Sequence, residues 1–237
     1  MTRPEYGETW VYESLVGALP GIHLSRRGAL ALQFAAFEGA ILVLAWVYDL
    51  WTAAVAGTVA VAIATAGSAE MLRIGRLTRR EGVPGAYRRV LFASNVEVVL
   101  GLFAFLALVT HLFVWDPRGV DSTLVERLFG ENPPVLVVYV SLLVMWDVCY
   151  RIGTGWWASV AALWRSLRYR FAGDTRRVLA RADLETMGFG LLQLGFLPFL
   201  TDQQVLFVAV GGHVVAVTTV TGLSLSLLWT RGKNQSD

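Results

Sequence analysis

Polar side chains that interrupt the apolar stretches of this sequence are the residues best suited to chemistry. A charged group deep in a bilayer costs several kcal/mol unless it is paired or hydrated. Apolar helices insert without such groups, so we expect these residues to face the interior of a helix bundle and to line a transport path. The candidates are Glu38, Asn95, Glu97, Asp147, Arg151, Gln193 and His213.

The segment "VMWDVCYRIGTGWW" at 144–157 carries an acid and a base four positions apart. Residues at this spacing share one face of a helix, so Asp147 and Arg151 can pair directly. Such a pair can be a neutralised contact that fixes helix packing, or it can be part of a path for a charged species. Gly153 and Gly155 follow on the same helix and permit close approach of a neighbouring helix.

Three of the candidates are carboxylates, whereas only one intramembrane cation lies nearby. Glu38, Glu97 and Asp147 therefore cannot all be neutralised by Arg151. Two like charges in a low-dielectric site resist joint ionisation, so a bound proton or a bound cation would balance them. We expect Glu38 and Glu97 to approach each other, with His213 as a third member of this site.

The sequence lacks the motifs of common cofactor and metal sites. It has no Walker loop, no GxGxxG unit and no HExxH, and its three histidines lack metal-ligand spacing. Cys149 is the only cysteine, and no lysine lies in a span. We therefore expect no metal and no cofactor, and the sequence favours a non-enzyme while leaving an enzyme open. A net charge of +2 gives no indication of a nucleic-acid partner.

The elements that hold these residues are predicted to be membrane-spanning helices. Hydrophobic residues make up 55% of the chain and charged residues 16%, and the apolar residues form runs near the roughly 20 residues that cross a bilayer. The expected fold is all-α, with six spans at about Ala29–Tyr48, Thr52–Leu72, Val90–Val114, Val135 to beyond Arg151, Thr186–Leu200 and Val205–Trp229.

The basic residues are distributed unequally between the two predicted sides of the membrane. All but two of the 20 lie in the N-terminal segment, in the segments after spans two and four, or after the last span. The exceptions, Arg118 and Arg127, lie between spans three and four. Basic residues near spans stay in the cytoplasm, which predicts a multi-pass protein of the cell membrane with both termini cytoplasmic. The expected parts are a cytoplasmic segment 1–28, a transmembrane domain 29–229 and a tail 230–237.

Short helices are predicted outside the spans. The stretch 9–19 has an apolar face and suits a helix in the cytoplasmic interface. The loop between spans three and four is expected to contain a helix at about Leu124–Phe129.

A weak repeat relates the first four spans. "LRIG" at 72–75 matches "YRIG" at 150–153, and Glu38 and Glu97 each lie in the preceding span. Spans 1–2 and 3–4 are thus interpreted as two copies of a helical hairpin, with spans 5–6 as a third copy in the same orientation. Three such hairpins would form a pseudo-threefold arrangement. An inverted repeat of three spans plus three spans also fits the topology.

Three classes of function remain open. The leading hypothesis is a small transporter or channel for a proton, cation or small solute. The alternative is a non-catalytic membrane subunit or scaffold whose buried polar residues hold helices together. A third class is a lipid-modifying membrane enzyme, in which Arg151 would bind a phosphate headgroup. The expected partners are the lipid bilayer, a proton or cation, and a second copy of the chain in a homo-oligomer.

Overall fold

The computed structural model describes residue 10 and residues 25–118, 122–171 and 173–233, and throughout these ranges the fold is all-helical, without strands. The helices are α1 (Arg26–Tyr48), α2 (Trp51–Thr78), α3 (Gly85–Phe92), α4 (Val96–Thr110), α5 (Leu124–Phe129), α6 (Val135–Arg168), α7 (Gly173–Leu192) and α8 (Gln204–Lys233). A π-helical turn and a short 3-10 turn continue α4 to Arg118, and a 3-10 helix, Gln193–Phe199, continues α7.

Five of these segments are long and apolar enough to cross a membrane. They are Arg27–Tyr48, Trp51–Thr78, Gly85–Arg118, Val135–Arg168 and Gln204–Arg231. Their outer faces expose large apolar side chains, among them Phe103, Val208 and Val215, which would be unfavourable in water. The protein therefore has the architecture of a helical membrane protein.

The predicted fifth span, Thr186–Leu200, is not among the five. Its residues form the last turns of α7 and the 3-10 helix that follows, which contains Pro198. The α7 helix also begins with the charged segment that follows Gly173, so its average composition is polar. The count of six spans and the cytoplasmic position of the termini stay predictions.

The predicted third span, Val90–Val114, contains a break. Helix α3 ends at Phe92 and α4 begins at Val96, and the intervening Asn95 has a φ of 52°, in the left-handed region. Asparagine is one of the few residues that adopt this conformation readily. The chain therefore turns between α3, which packs through Tyr87, Leu91 and Phe92, and the apolar helix α4.

Helix α5 confirms the helix predicted in the loop between spans three and four. The Thr123 hydroxyl accepts a hydrogen bond from the Glu126 backbone N–H, and the Glu126 carboxylate accepts one from the Thr123 N–H. This reciprocal capping box fixes the first turn. The Asp116 carboxylate accepts a third bond from the Leu124 N–H. The helix predicted over 9–19 lies outside the described residues, except for Trp10.

Helix α6 is the central element of the bundle. Its 34 residues extend about 51 Å, more than the roughly 30 Å of a hydrocarbon core. It packs against α4, α8 and α2, while α1 packs on α2 and α7 on α8. The packed pairs α1–α2, α4–α6 and α7–α8 are those of the hypothesised hairpins, whose threefold arrangement stays a prediction.

Helices α4 and α6 approach each other at two glycines. A Cβ built at Gly153 would lie 2.6 Å from the Gly101 nitrogen, and one built at Gly101 would lie 2.9 Å from the Tyr150 Cα. No side chain fits at these distances, so the two backbones touch. This is the close small-residue packing common between membrane helices.

The two ends of the bundle differ in packing. At the arginine-rich end, where α2 and α6 terminate, a dense apolar core contains Trp10, Met71, Tyr87, Leu91, Phe92, Phe171 and Leu179. At the opposite end, which we call the tryptophan end, Trp46 is 76% exposed and Trp115 is 67% exposed. Exposed tryptophans at one level of a membrane protein typically lie in the interface.

Candidate functional site

The ion pair predicted within α6 is confirmed. One terminal nitrogen of Arg151 donates to Asp147 Oδ1 at 2.8 Å. The Arg151 side chain is 3% exposed and that of Asp147 is 16% exposed. The pair therefore lies within the bundle, with the acid less enclosed than the base.

Residues of α1 and α2 extend this pair into a network. The Gln33 amide Nε2 donates to Asp147 Oδ2 at 2.7 Å, and the Ser68 hydroxyl donates to Gln33 Oε1 at 3.0 Å. The second terminal nitrogen of Arg151 lies 3.0 Å from the Met71 sulfur. We refer to Gln33, Ser68, Met71, Asp147 and Arg151 as the mid-bundle network. It joins three helices through the side chain of Asp147, both of whose oxygens accept hydrogen bonds.

Gln33 was not among the sequence-based candidates for the path. A glutamine in an otherwise apolar span was the available signal, but its partner lies 114 positions further along the chain. Only the packing of α1 beside α6 brings them together. Ser68 gave no signal, because a serine in a membrane helix commonly bonds to its own backbone, as Ser68 also does with the Ala64 carbonyl.

Glu97 is the most isolated acid of the candidate set. Its side chain is 0% exposed, and both carboxylate oxygens lack a hydrogen-bond partner among the described residues. It lies in the first turn of α4, whose dipole favours a negative charge, and its backbone carbonyl faces Gly153 of α6. An ionised carboxylate without partners is very costly in such a site, so the group is neutral or holds a counter-ion. Asn95, two positions earlier, is exposed at the α3–α4 break.

The remaining candidates occupy separate helix contacts. Glu38 is half-buried, and its Oε1 accepts a bond of 2.8 Å from the Thr58 hydroxyl of α2. His213 is half-buried beside the Trp156 ring of α6, with ring centroids 6.1 Å apart. Gln193 is 1% exposed, and its side-chain oxygen has no partner within the described ranges.

Helix α6 separates these groups. Taking Asp147 as reference, Gly153 lies about 120° and Trp156 about 180° around the helix axis, given 3.6 residues per turn. Different groups therefore lie on three sides of α6. The Glu97 backbone carbonyl lies near Gly153, the mid-bundle network includes Asp147, and the His213 ring lies beside Trp156. The hydrogen bonds and ring contacts of the described residues do not join the candidates into one cluster. Glu38 lies at the α1–α2 contact and Glu97 at the α4–α6 contact, and a site shared by these two acids stays a prediction.

A second buried ion pair was missed by sequence reasoning. One terminal nitrogen of Arg165 on α6 donates to both carboxylate oxygens of Asp183 on α7, at 2.8 and 2.7 Å. The side chains are 0% and 2% exposed. The Ser224 hydroxyl of α8 donates to Asp183 Oδ2 at 2.8 Å, and the Tyr87 hydroxyl of α3 lies 3.4 Å from Arg165. We call this set, which joins four helices at the arginine-rich end, the inter-helix network.

The two RIG motifs occupy different surroundings. Arg73 of "LRIG" is half exposed and pairs with Glu185 of α7 at 2.9 Å, a carboxylate that also binds Arg181. Arg151 of "YRIG" is buried in the mid-bundle network. Glu70, one turn before Arg73, is 7% exposed beside the Thr186 hydroxyl. The repeated letters therefore do not correspond to repeated contacts.

The described side chains contain no group of three or more histidine, cysteine, aspartate or glutamate residues placed to hold a metal ion.

Comparison with known proteins gives one family: a family of unknown function (DUF7530) matches residues 5–224, and the chain belongs to it. No curated protein and no solved structure matches the chain. Its function must therefore be argued from the geometry of the buried groups.

Proposed function

We propose that this member of the DUF7530 family is a small membrane transporter or channel for a proton, a cation or a small solute, with buried carboxylates as its binding groups. The enclosed carboxyl of Glu97, which has no partner among the described residues, carries this proposal. A purely structural acid would be expected to have a donor, as Asp183 has in Arg165 and Ser224.

The energetics of Glu97 favour reversible neutralisation. Removal of an unpaired carboxylate from water costs far more than protonation does, so the site takes up a proton or a cation when it closes. Release of that proton or cation requires access to water. Translocation across a membrane requires at least one group that binds the proton or cation when it is enclosed and releases it when it is hydrated.

The mid-bundle network places a second carboxylate, that of Asp147, on the central helix α6. In the observed state Asp147 accepts from Arg151 and Gln33, which accounts for both of its oxygens. A bound cation that competed with Arg151 and Gln33 for the Asp147 carboxylate would weaken the contact between α1 and α6. Ion binding would thereby be coupled to the packing of α1 and α2 against α6.

Flux through purified protein in vesicles tests this proposal. Vesicles that contain a pH-sensitive dye would be given a proton gradient, and parallel vesicles would be given sodium or potassium gradients with matching indicators. We expect the wild type to move at least one of these ions. Glu97→Gln should abolish that flux, because the amide cannot bind or release a proton and holds no charge for a cation.

Glu185→Gln is the matched control. It makes the same carboxylate-to-amide change at a residue whose partners, Arg73 and Arg181, are exposed. Its flux should equal that of the wild type. Equal flux through correctly folded Glu97→Gln and wild-type protein would refute a role for Glu97 in conduction.

A non-catalytic membrane subunit is the second candidate function. The inter-helix network favours it, since its ion pair is enclosed and its acid is fully hydrogen-bonded, as a structural connection would be. The touching backbones of α4 and α6 are a further sign of a fixed assembly. Folded wild-type protein that moved neither protons, sodium nor potassium above the rate of protein-free vesicles would favour this candidate.

A further inference from the structure

An apolar cavity of about 180 Å³ lies at the tryptophan end of the bundle. Helices α1, α2, α5 and α6 and the π-helical turn after α4 form its walls, and Ser141 is the one polar residue among the described side chains that line it. An apolar cavity of this kind stays dry and binds apolar molecules, since nothing in its walls holds water. We call it the apolar slot.

The lining of the slot extends along two helix axes. It runs from Ala53 to Ala60 on α2, about 10 Å at 1.5 Å per residue, and from Val137 to Met145 on α6, about 12 Å. A cavity of about 150 Å³ holds a six-carbon ring, so the slot has the volume for a comparable number of carbon atoms. A segment of a hydrocarbon chain of that size fits along the two helices.

The slot reaches the apolar surface of the bundle. Phe113 lines it and is also 41% exposed, and the adjacent Val114 and Trp115 are 45% and 67% exposed. The rim at Phe113 is therefore continuous with side chains that face lipid in a membrane. A hydrocarbon chain in the bilayer can reach the slot without crossing a polar layer.

Helix α5 covers the slot and is anchored to the bundle. Leu124, Leu128 and Phe129 face the cavity. On the polar side of the helix, Arg127 binds Asp202 of the α7–α8 connection at 2.6 Å. The Asp116 carboxylate holds the start of α5 to the turn that follows α4, and the exposed Arg127–Asp202 pair adds a weak contact. The capping box stabilises the first turn of α5 itself.

We infer that the apolar slot binds a segment of one acyl chain of a membrane lipid, which enters sideways past Phe113 and lies along α2 and α6. This inference is independent of the proposed transport function. It rests on the apolar walls, the extent of the lining along α2 and α6, and the lipid-facing rim. The chain would end near Ile41, one turn of α1 from Glu38, where the polar side chains of the bundle begin.

Photochemical labelling tests the inference. Full-length protein would be placed in vesicles of phosphatidylcholine containing a phosphatidylcholine with a diazirine midway along one acyl chain. After irradiation, mass spectrometry of the digested protein would locate the labelled residues. We expect label on α5 within Leu124–Phe129. Ala56→Phe, which fills the slot, should reduce that label about tenfold, equivalent to a loss of about 1.4 kcal/mol of binding free energy.

Ala62→Phe is the matched control, because it adds the same ring to an exposed position of the same helix. Its labelling should equal that of the wild type. Ala53→Phe, also in the slot wall, provides a second test if Ala56→Phe does not fold, as judged by size-exclusion chromatography.

Equal labelling of α5 in the wild type and in the filled variants would overturn the inference. So would labelling by a free diazirine fatty acid with none by the phospholipid, since the ligand would then be a free fatty acid and not a membrane phospholipid. Both outcomes are independent of ion flux, so failure here leaves the transport proposal unaffected.

Discussion

The described residues include two buried arginine–aspartate pairs whose arginines both lie on the central helix α6, and the surroundings of the two pairs are opposite. Arg165 and Asp183 lie on different helices and are enclosed almost completely. The Ser224 hydroxyl donates a further bond to Asp183, and Arg165 donates one to the Tyr87 hydroxyl. Asp147 and Arg151 lie on one helix, and the acid is 16% exposed. The first pair joins two helices, whereas the second lies within one helix and needs no second helix to form.

This difference separates two uses of buried charge. An ion pair between two helices contributes no stability until the helices have packed together. It therefore stabilises only the packed state, and only in the geometry that brings the two charges into contact. A pair within one helix forms in the isolated helix as well, so it mainly lowers the cost of holding charge in the membrane. We therefore expect the inter-helix network to control stability and the mid-bundle network to tolerate change.

Removal of the acid between helices should have the largest effect. Asp183→Ala leaves Arg165 fully buried without its carboxylate, which should destabilise the protein by about 3–5 kcal/mol. Reversible unfolding in detergent, followed by circular dichroism, measures this loss. Glu185→Ala, two positions along α7 with exposed arginine partners, should cost less than about 1 kcal/mol. Equal losses in the two variants would remove the distinction between the networks.

Removal of the acid within α6 should have a smaller effect. Asp147→Ala should cost about 2 kcal/mol, below the usual range for a fully buried pair, because Asp147 is partly exposed. A double-mutant cycle with Arg151→Ala measures the coupling. The double variant should lose less stability than the two single losses together, and strictly additive losses would show that the two residues do not interact.

Two serines provide a matched comparison of the networks. Ser224 donates to the buried carboxylate of Asp183, whereas Ser68 donates to the neutral amide of Gln33. Bonds to charged groups contribute more, so Ser224→Ala should cost about 2 kcal/mol and Ser68→Ala about 1 kcal/mol. Unfolding midpoints in denaturant would rank the two variants. The reverse order would place the stronger network in the middle of the bundle.

Glu97 should give the smallest change in stability. The Glu97→Gln amide carries no charge and is close in size, so the free energy of unfolding should change by less than about 0.5 kcal/mol or increase slightly. Thermal unfolding in detergent at neutral pH tests this. A large loss would mean that the carboxylate is ionised and held by a structural partner, in the manner of Asp183.

Local signals made part of this structure predictable. The spacing of Asp147 and Arg151 requires only that 144–157 be helical, and α5 depends on a capping box within four residues. The long apolar runs likewise predict helices without knowledge of their neighbours. The fifth predicted span is the exception, because Thr186–Leu200 is too short and too strongly interrupted for composition alone to decide.

The inter-helix network could not be predicted because it depends on packing. Arg165 and Asp183 are separated by the connection between α6 and α7, and Ser224 lies 41 positions beyond Asp183. In the sequence, Arg165 is one of many arginines in a basic segment, and nothing distinguishes it from its exposed neighbours such as Arg168. Glu97 and the mid-bundle network lie beside different faces of α6. Which face of α6 meets which neighbouring helix cannot be read from hydropathy.

The glycine contact between α4 and α6 has a consequence for motion. Because the backbones touch at Gly101 and Gly153, sliding or rotation of one helix against the other would bring backbone atoms into collision. We therefore expect the two helices to move as one rigid body. If the proposed transport involves alternation between conformations, we expect it at the other faces of α6, by rocking of α1 and α2 or of α7 and α8. Those faces bear the mid-bundle network and His213, whereas Glu97 lies on the pair that is expected to stay fixed.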